Sequence, residues 1–349
     1  MKFKIDKRYI GEGEPCFIIA ELSANHLKDF DLAMKTLEAA ADAGVDAFKI
    51  QTLTPDTMTI DCDNEYFTID NGTLWDGRTL YDLYSETPLP YEWHEPIVKR
   101  CKELGLIWFS TPYDQSATDF LEQLNPPVYK IASFEITDVP LIEYVASKGK
   151  PMIISTGIAT EQEIIDALDA CKKSGNTDIA LLKCTSAYPA PYEEINLRTI
   201  QSFKERFGVV SGLSDHTPGI EVPVASVAVG GSVIEKHLIL DRELGGPDAK
   251  FSLEPSEFKA MVSAVRNVEK ALGKIEYQLT EKAEKSRMFA RSLFVVENVK
   301  EGELFTEKNI RSIRPGYGMA PKYYSQVIGK VAAKDIERGT PFSKELISE

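Results

Sequence analysis

Two histidines in one short stretch of the sequence could bind a metal ion. Residues 211–240 read as a strand, a tight loop, a small-residue helix and a second strand, and they contain His216 and His237. The chain has only 4 histidines, and these two stand at or near the ends of successive strands. Imidazoles at paired strand ends suit a divalent metal. The alternative from this stretch alone is that each histidine is a hydrogen-bonded residue of a half-buried strand.

Two lysines lie inside segments that otherwise read as apolar strands. Lys49 stands in AFKIQT and Lys130 in VYKIAS. An unpaired ammonium group is costly to bury, so we expect both lysines to face an anion. The alternative is that they lie on an outer face and extend their charged ends to solvent.

Hydroxyl side chains recur at the ends of nearly all the strand-like segments. One such residue is a weak signal, because serine and threonine are common at strand ends and helix N-caps. Their recurrence around two lysines predicts a cradle for phosphate or carboxylate. With a metal nearby, this set favours phosphoenolpyruvate chemistry or a sugar-phosphate reaction. The hydroxyl residues are Ser110, Thr111, Ser133, Ser155, Ser186 and Ser214.

Eight apolar runs alternate with helix-period segments between residue 16 and about residue 273. Continuous apolar strands alternating with helices indicate parallel strands buried on both faces. Eight such units predict a (β/α)8 TIM barrel, whose chemistry lies at the carboxyl ends of its strands. A doubly wound open sheet is the alternative. The runs span residues 16–22, 47–52, 106–111, 128–133, 151–156, 179–185, 209–216 and 232–240.

The composition limits the classes of partner. A net charge of −14 over 349 residues argues against nucleic acid and anionic membrane surfaces, which call for basic patches. The 5 cysteines do not resemble a disulfide framework. We see no signal peptide and no apolar run of membrane-spanning length, so we expect a cytoplasmic protein without membrane contact.

The regular alternation is interrupted twice. A long insertion follows the second strand at residues 53–90, and loops of this length are usually lids or binding loops. After residue 273 the pattern changes to a short-stranded region with an internal echo between residues 299–312 and 336–348. We therefore divide the chain into a barrel at 1–275, a linker at 276–292 and a small β-rich domain at 293–349.

The strand-end motifs resemble the sialic acid synthase family over nearly the whole chain. The matching segments include FIIAELSANH, FKIQT, FSTPYD, YKIASFE, KCTSAYPAP, GLSDHTPG, VIEKHLILD and RPGYG. The resemblance implies a TIM barrel followed by an antifreeze-like (SAF) domain. It also implies condensation of phosphoenolpyruvate with an open-chain N-acylated amino sugar, which gives a nine-carbon 2-keto acid and phosphate.

The resemblance assigns roles to individual residues. His216 and His237 would bind a divalent metal, Mn²⁺ with Mg²⁺ and Co²⁺ as alternatives, and Glu21 would transfer a proton or position water. Arg314 would reach the active site of a partner subunit in a domain-swapped homodimer. The residues expected to hold phosphoenolpyruvate are Lys49, Ser110, Thr111, Lys130, Ser133, Ser155, Ser186 and Ser214. Those expected at the sugar are Gln51, Glu135, Tyr188, Asp248 and Arg314.

Within the family, the insertion, SANH and FSLEP resemble the pseudaminic acid synthases. Their sugar is a 2,4-diacetamido-2,4,6-trideoxy-altrose. The alternatives are an N-acetylneuraminate synthase and a legionaminate synthase, each of which uses another N-acylated amino sugar. Two other classes stay open from the residues: a Schiff-base aldolase, because barrels often place a lysine at a strand end, and a non-catalytic carbohydrate-binding protein.

Overall fold

The computed structural model describes residues 1–70, Gly72 and residues 75–348, and the chain divides into two compact units, Met1–Gly273 and Lys274–Glu349. Three positions of the predicted insertion, residues 71, 73 and 74, lie outside the described residues, as does residue 349. In the described ranges no helix is long and apolar enough to cross a membrane.

The first unit is a closed barrel of parallel strands, which confirms the predicted fold. An antiparallel hairpin, β1 (Lys2–Ile5) with β2 (Arg8–Gly11), precedes it and was not predicted. The barrel strands are β3 (Phe17–Glu21), β4 (Ala47–Thr52), β5 (Ile107–Pro112), β6 (Tyr129–Ile131), β7 (Met152–Ser155), β8 (Ile179–Cys184), β9 (Val210–Asp215) and β10 (Val233–His237). Their order around the barrel is β10-β3-β4-β5-β6-β7-β8-β9, and β10 closes on β3 with His237 opposite Glu21.

Successive side chains of each barrel strand point to opposite faces, and both faces are buried. The barrel therefore has two cores. Phe17, Phe109 and Ile153 pack inside the barrel. Their strand neighbours, such as Ile18 and Trp108, belong to the core between barrel and helices. Because successive side chains point to opposite faces, every second residue near a strand end can reach the same interior space.

Helices connect the strands, and their ends follow local sequence signals. Asp29 caps the first helix by accepting from Leu32 N, and Gly44 ends it at φ 83, a conformation that glycine adopts at little cost. Thr160 and Glu163 form a capping box on the seventh helix. The helices are α1 (Phe30–Ala43), α2 (Pro55–Met58), α3 (Leu80–Glu86), α4 (Tyr91–Glu103), α5 (Gln115–Leu124), α6 (Val139–Ala146), α7 (Glu161–Lys173), α8 (Thr199–Phe207), α9 (Glu221–Ala228) and α10 (Pro255–Leu272).

The second unit has its own small core, built on the sequence echo. It contains α11 (Glu281–Ser286), α12 (Tyr324–Val327) and an antiparallel pair, β11 (Ser292–Val295) with β12 (Ile310–Ile313). The two copies of the echo meet: Val299 and Ile336 exchange backbone hydrogen bonds of 2.9 and 2.8 Å. The rings of Phe305 and Phe342, which occupy matching places in the two copies, pack edge to face at 4.8 Å. The two segments of the sequence echo therefore pack against each other.

Candidate active site

A cavity of about 180 Å³ opens at the carboxyl ends of the barrel strands. It lies where the barrel prediction places chemistry. Most of the residues that the sequence singled out line it. These are Lys49, Gln51, Lys130, Ser133, Glu135, Ser155, Tyr188, Ser214, His216, His237 and Asp248.

Lys49 and Lys130 form the positive part of this cavity, and both are almost fully buried. Lys49 Nζ lies 2.8 Å from Glu21 Oε2 and donates to Thr111 Oγ1 over 3.2 Å. Lys130 Nζ donates to Ser155 Oγ over 2.7 Å. The lysines point into the barrel, so the alternative of an outer face is wrong for both.

A buried carboxylate that we did not predict lies between the two lysines. Glu235 Oε1 is 3.4 Å from Lys49 Nζ and 3.9 Å from Lys130 Nζ, and its other oxygen has no hydrogen-bond partner among the described residues. The sequence carried a signal for it: Glu235 stands two positions before His237 in a strand, so it faces the same side. A charge inside an apolar strand called for a partner here, as it did for the lysines.

The protonation states of these groups follow from burial and from their neighbours. Burial raises the pKa of the Glu21 carboxyl, and the charge of Lys49 opposes that rise. Burial also acts on Glu235, but Lys130 and Lys49 together lower its pKa. Burial lowers the pKa of Lys130, whereas Glu21 and Glu235 outweigh burial and raise the pKa of Lys49. Of the two carboxyls, Glu21 is therefore the one that can more readily hold a proton.

The hydroxyls form an arc beside the lysines. Ser133 Oγ and Ser186 Oγ are 2.8 Å apart, although they come from loops after different strands. Gly157 makes this contact possible, because a Cβ there would lie 2.2 Å from Ser186 Oγ and 2.4 Å from Ser133 Oγ. Ser214 completes the arc on the cavity wall. Such hydroxyls next to ammonium groups are suited to an anion.

Ser110 is the exception among the expected phosphate ligands. Its side chain lies on the other face of β5 from Thr111, where its Oγ is 2.6 Å from Thr52 Oγ1 and donates to Ile50 O. Thr52 in turn contacts His94 Nε2 over 2.8 Å. The expectation that Ser110 binds phosphoenolpyruvate is therefore corrected: strand alternation turns it into the layer between barrel and helices. His94 is a buried packing residue of the same network.

The two predicted metal ligands stand together at the cavity wall. The rings of His216 and His237 have centroids 5.3 Å apart in an edge arrangement. His216 Nδ1 lies 3.2 Å from Thr185 O, whereas His237 Nδ1 is buried without a hydrogen-bond partner in the described chain. Asp248 Oδ2 is the carboxylate oxygen near it, at 3.7 Å.

These residues fit a metal that is held by two imidazoles. A bound ion would satisfy a buried nitrogen that has no partner, and imidazole is a common ligand of divalent transition-metal ions. Among the described residues no group of three or more His, Cys, Asp and Glu side chains could hold a metal by itself. A metal here would keep open positions for water or substrate, as catalytic sites do.

The remaining polar side chains face the part of the cavity expected to hold the sugar. Gln51 Nε2 donates to Glu21 Oε1 over 3.0 Å and to Ser23 Oγ over 3.1 Å. Glu135 Oε2 is buried and has no hydrogen-bond partner within the described ranges, and burial raises the Glu135 pKa to about 7. The Tyr188 ring packs 4.6 Å from that of His216. Arg314 belongs to the second unit, where it is exposed and follows β12, and its expected role stays a prediction.

The insertion after β4 supplies the apolar side of the cavity. Leu53, Met58, Trp75 and Leu83 line it, the last from α3. The expectation that this long segment is a binding loop thus agrees with its place at the cavity.

The chain matches two known protein families along its length. Residues 36–277 match the NeuB family, and residues 290–348 match the SAF domain. The chain belongs to the sialic acid synthase (NeuB) family. This confirms the family resemblance drawn from the strand-end motifs, and it places the SAF domain in the region that carries the internal echo.

Several members of this family are similar over most of their length. The pseudaminic acid synthase of Campylobacter jejuni is 50% identical over 93% of this chain and 94% of its own. That of Helicobacter pylori is 45% identical over 95% and 98%, and the N,N'-diacetyllegionaminic acid synthase of C. jejuni is 36% identical over 91% and 96%. The crystal structure of the spore coat polysaccharide biosynthesis protein SpsE of Bacillus subtilis, 33% identical, covers 100% of this chain and 99% of that one with a TM-score of 0.69.

Proposed function

We propose that the chain catalyses the pseudaminic acid synthase reaction. Phosphoenolpyruvate, water and 2,4-diacetamido-2,4,6-trideoxy-β-L-altropyranose give pseudaminic acid and phosphate. The observation that carries the proposal is the joining of two buried lysines, an arc of hydroxyls and two histidines in one cavity. Identities of 50% and 45% to enzymes named for this product, against 36% to a legionaminic acid synthase, support the choice of sugar.

Lys49 and Lys130 are the residues proposed to bind phosphoenolpyruvate. Their ammonium groups lie in a water-poor interior, where they stabilise developing negative charge more strongly than at the surface. Ser155 already accepts from Lys130, and the Ser133–Ser186 pair adds further donors. Glu235 lies between the two lysines and, together with Glu21 beside Lys49, offsets their buried charge.

The sugar lies, in this proposal, between the polar and apolar sides of the cavity. Gln51, Glu135 and Asp248 offer hydrogen bonds, and the insertion residues Met58 and Leu83 offer an apolar wall. A trideoxy sugar with two acetamido groups presents more methyl groups than N-acetylmannosamine. A hydroxyl placed against the wall would lose its hydrogen bonds to water without replacement.

His216 and His237 are the proposed ligands of a divalent ion, with Mn²⁺ as our first choice. When bound, such an ion supplies Lewis-acid polarisation of the sugar aldehyde. The chain's own part is to present two imidazole nitrogens from adjacent strand ends. His216 is oriented by its contact with Thr185 O, which fixes the ring so that its other nitrogen is free to bind.

The bond changes balance as follows. C3 of phosphoenolpyruvate forms a bond to the aldehyde carbon, whose oxygen takes a proton. Water adds to C2, and the C2–O bond to the phosphoryl group then breaks and releases inorganic phosphate. Glu21 is the proposed proton-transfer group, because burial raises the pKa of its carboxyl and it contacts Lys49, which lines the cavity.

A sugar panel tests the proposal. Purified full-length protein with phosphoenolpyruvate and Mn²⁺ is given the trideoxy sugar, its legionaminic counterpart or N-acetylmannosamine, and phosphate release and product mass are measured. We expect fastest turnover with the trideoxy sugar. Faster turnover of another sugar would contradict the choice of sugar and assign the chain the activity of another synthase. A pyruvate adduct trapped by borohydride, without phosphate release, would favour the Schiff-base aldolase.

We also propose a cytoplasmic homodimer in which Arg314 of one subunit serves the site of the other. The 5 cysteines are free thiols, which fits a reducing compartment. The support for exchange is the family resemblance of RPGYG. Mixing inactive Arg314→Ala and His216→Ala proteins tests it: refolded together they should regain activity, since one of the two sites is then complete. Failure to regain activity would contradict the exchange.

A further inference from the structure

A buried ion pair lies directly behind the two histidines. Lys236 Nζ donates to Asp215 Oδ2 over 2.5 Å and to Thr217 O over 2.6 Å. Both charged side chains are 0% exposed. Asp215 also accepts from the backbone N and the hydroxyl of Thr217, at 3.2 and 2.9 Å. One cluster therefore joins the end of β9, the first residues of the following loop and the end of β10.

The pair faces away from the cavity. Lys236 and Asp215 are direct neighbours in the parallel pairing of β10 with β9. Because side chains alternate along a strand, Glu235 and His237 point into the barrel while Lys236 points outward. Around Lys236 on that outer face stand Ile234 and Leu238, both 0% exposed. The pair can therefore touch neither substrate nor metal.

An ion pair in an apolar layer is a poor way to gain stability. Desolvation of both charges offsets most of their attraction, and apolar residues of similar size often stabilise a fold as well. What a buried pair adds is geometry, because a short charged contact permits few arrangements. Here the pair links Asp215, the residue immediately before His216, to Lys236, the residue immediately before His237.

We propose that Asp215 and Lys236 are positioning residues that hold His216 and His237 at the separation needed to share one divalent ion. His237 has no hydrogen bond of its own at Nδ1 in the described chain, so its position depends on its backbone and on the packing of its ring against Phe251. The pair sets that backbone against β9. This inference rests on the proposed metal role of the two histidines.

The test separates geometry from stability. The variants Lys236→Met and Asp215→Leu each leave one buried charge without a partner, and the double variant replaces the pair with apolar side chains. Thermal midpoints are measured without metal, and Mn²⁺ affinity is measured by titration calorimetry on the full chain. We expect the single variants to melt earlier and the double variant to recover most of the midpoint. Its Mn²⁺ affinity should nevertheless stay roughly tenfold or more below that of the wild type.

Two controls complete the test. Arg266→Met breaks a pair at the opposite end of the barrel, where Arg266 Nη2 lies 2.8 Å from Asp46 Oδ2, and it should lower the midpoint without changing Mn²⁺ affinity. Lys236→Arg keeps the charge and should retain affinity better than Lys236→Met in every preparation that folds. Wild-type affinity in the double variant would overturn the positioning role. Absence of Mn²⁺ binding by the wild type, or equal binding by His216→Ala, would overturn the metal role on which it rests.

Discussion

Lys130 donates a 2.7 Å hydrogen bond to Ser155 across two neighbouring barrel strands. The contact brings an ammonium group and a hydroxyl together on the interior face, where both residues are 1% exposed. This contact forms part of the proposed binding site for phosphoenolpyruvate. Ser110 is equally buried, but it lies on the outer face.

This difference between two buried serines predicts opposite phenotypes. Ser155→Ala should raise the KM for phosphoenolpyruvate about ten- to a hundredfold, since a hydrogen bond to a charged group contributes about 1.5–3 kcal/mol. Ser110→Ala should leave KM unchanged and lower the free energy of unfolding by about 1–2 kcal/mol, because it breaks the Thr52–His94 network. Steady-state kinetics and urea unfolding of both variants check this. A raised KM in Ser110→Ala would restore that residue to the substrate site.

Glu135 should make the substrate-free protein less stable as the pH rises. Burial raises its pKa from 4.5 to about 7, so in that range the folded chain holds a proton that the unfolded chain has released. Stability is therefore fully present below about pH 4.5 and falls as pH rises to about 7, by up to about 3 kcal/mol. Glu135→Gln should remove this part of the pH dependence. Parallel stability curves for the two proteins would show that Glu135 titrates normally.

The apolar wall should set the choice of sugar. Met58→Gln places an amide in the wall, and we expect the ratio of kcat/KM for the trideoxy sugar to that for N-acetylmannosamine to fall about tenfold. Ile60→Gln is the matched control, because Ile60 belongs to the same insertion but is 59% exposed and does not line the cavity. An unchanged ratio in Met58→Gln, or an equal shift in Ile60→Gln, would contradict the proposal that the apolar wall determines sugar specificity.

Chelation should abolish turnover, and Mn²⁺ should restore it. His216→Ala should keep the wild-type circular dichroism spectrum and gain nothing from added Mn²⁺, because one of two imidazole ligands is gone. Activity is followed by phosphate release after dialysis against a chelator. Full activity of the dialysed wild type would contradict the metal role of the histidine pair.

The barrel could be predicted from the sequence because eight apolar runs alternate regularly with capped helices. Most of the predicted runs ended one to three residues beyond the strand, whereas the run 47–52 matched its strand. The run 128–133, for example, is the strand Tyr129–Ile131. Its apolar pattern continues into a short helical turn, Ser133–Glu135. The N-terminal hairpin was missed because each of its strands has only 4 residues and β1 carries charges at alternate positions, which gives a weak apolar pattern.

The sequence predicted many of the residues that line the cavity, but it did not predict the contacts between them. A charge inside an apolar strand correctly indicated that Lys49 and Lys130 face the cavity, and the same rule applied to Glu235, which we did not include. Ser110 was misplaced because neighbouring serines and threonines look alike in sequence, and only strand register separates the inner Thr111 from the outer Ser110. The packing of Ser186 against Ser133 needs the close approach at Gly157, which is a property of the folded chain.

The most direct measurement places ¹⁸O in the bridging oxygen of phosphoenolpyruvate. The labelled substrate is converted with the trideoxy sugar and Mn²⁺, and phosphate and product are analysed by mass spectrometry. The account predicts that all of the label leaves in phosphate, because the C2–O bond breaks, and that the product has the mass of pseudaminic acid. Unlabelled phosphate, or no nine-carbon acid from this sugar, would contradict it.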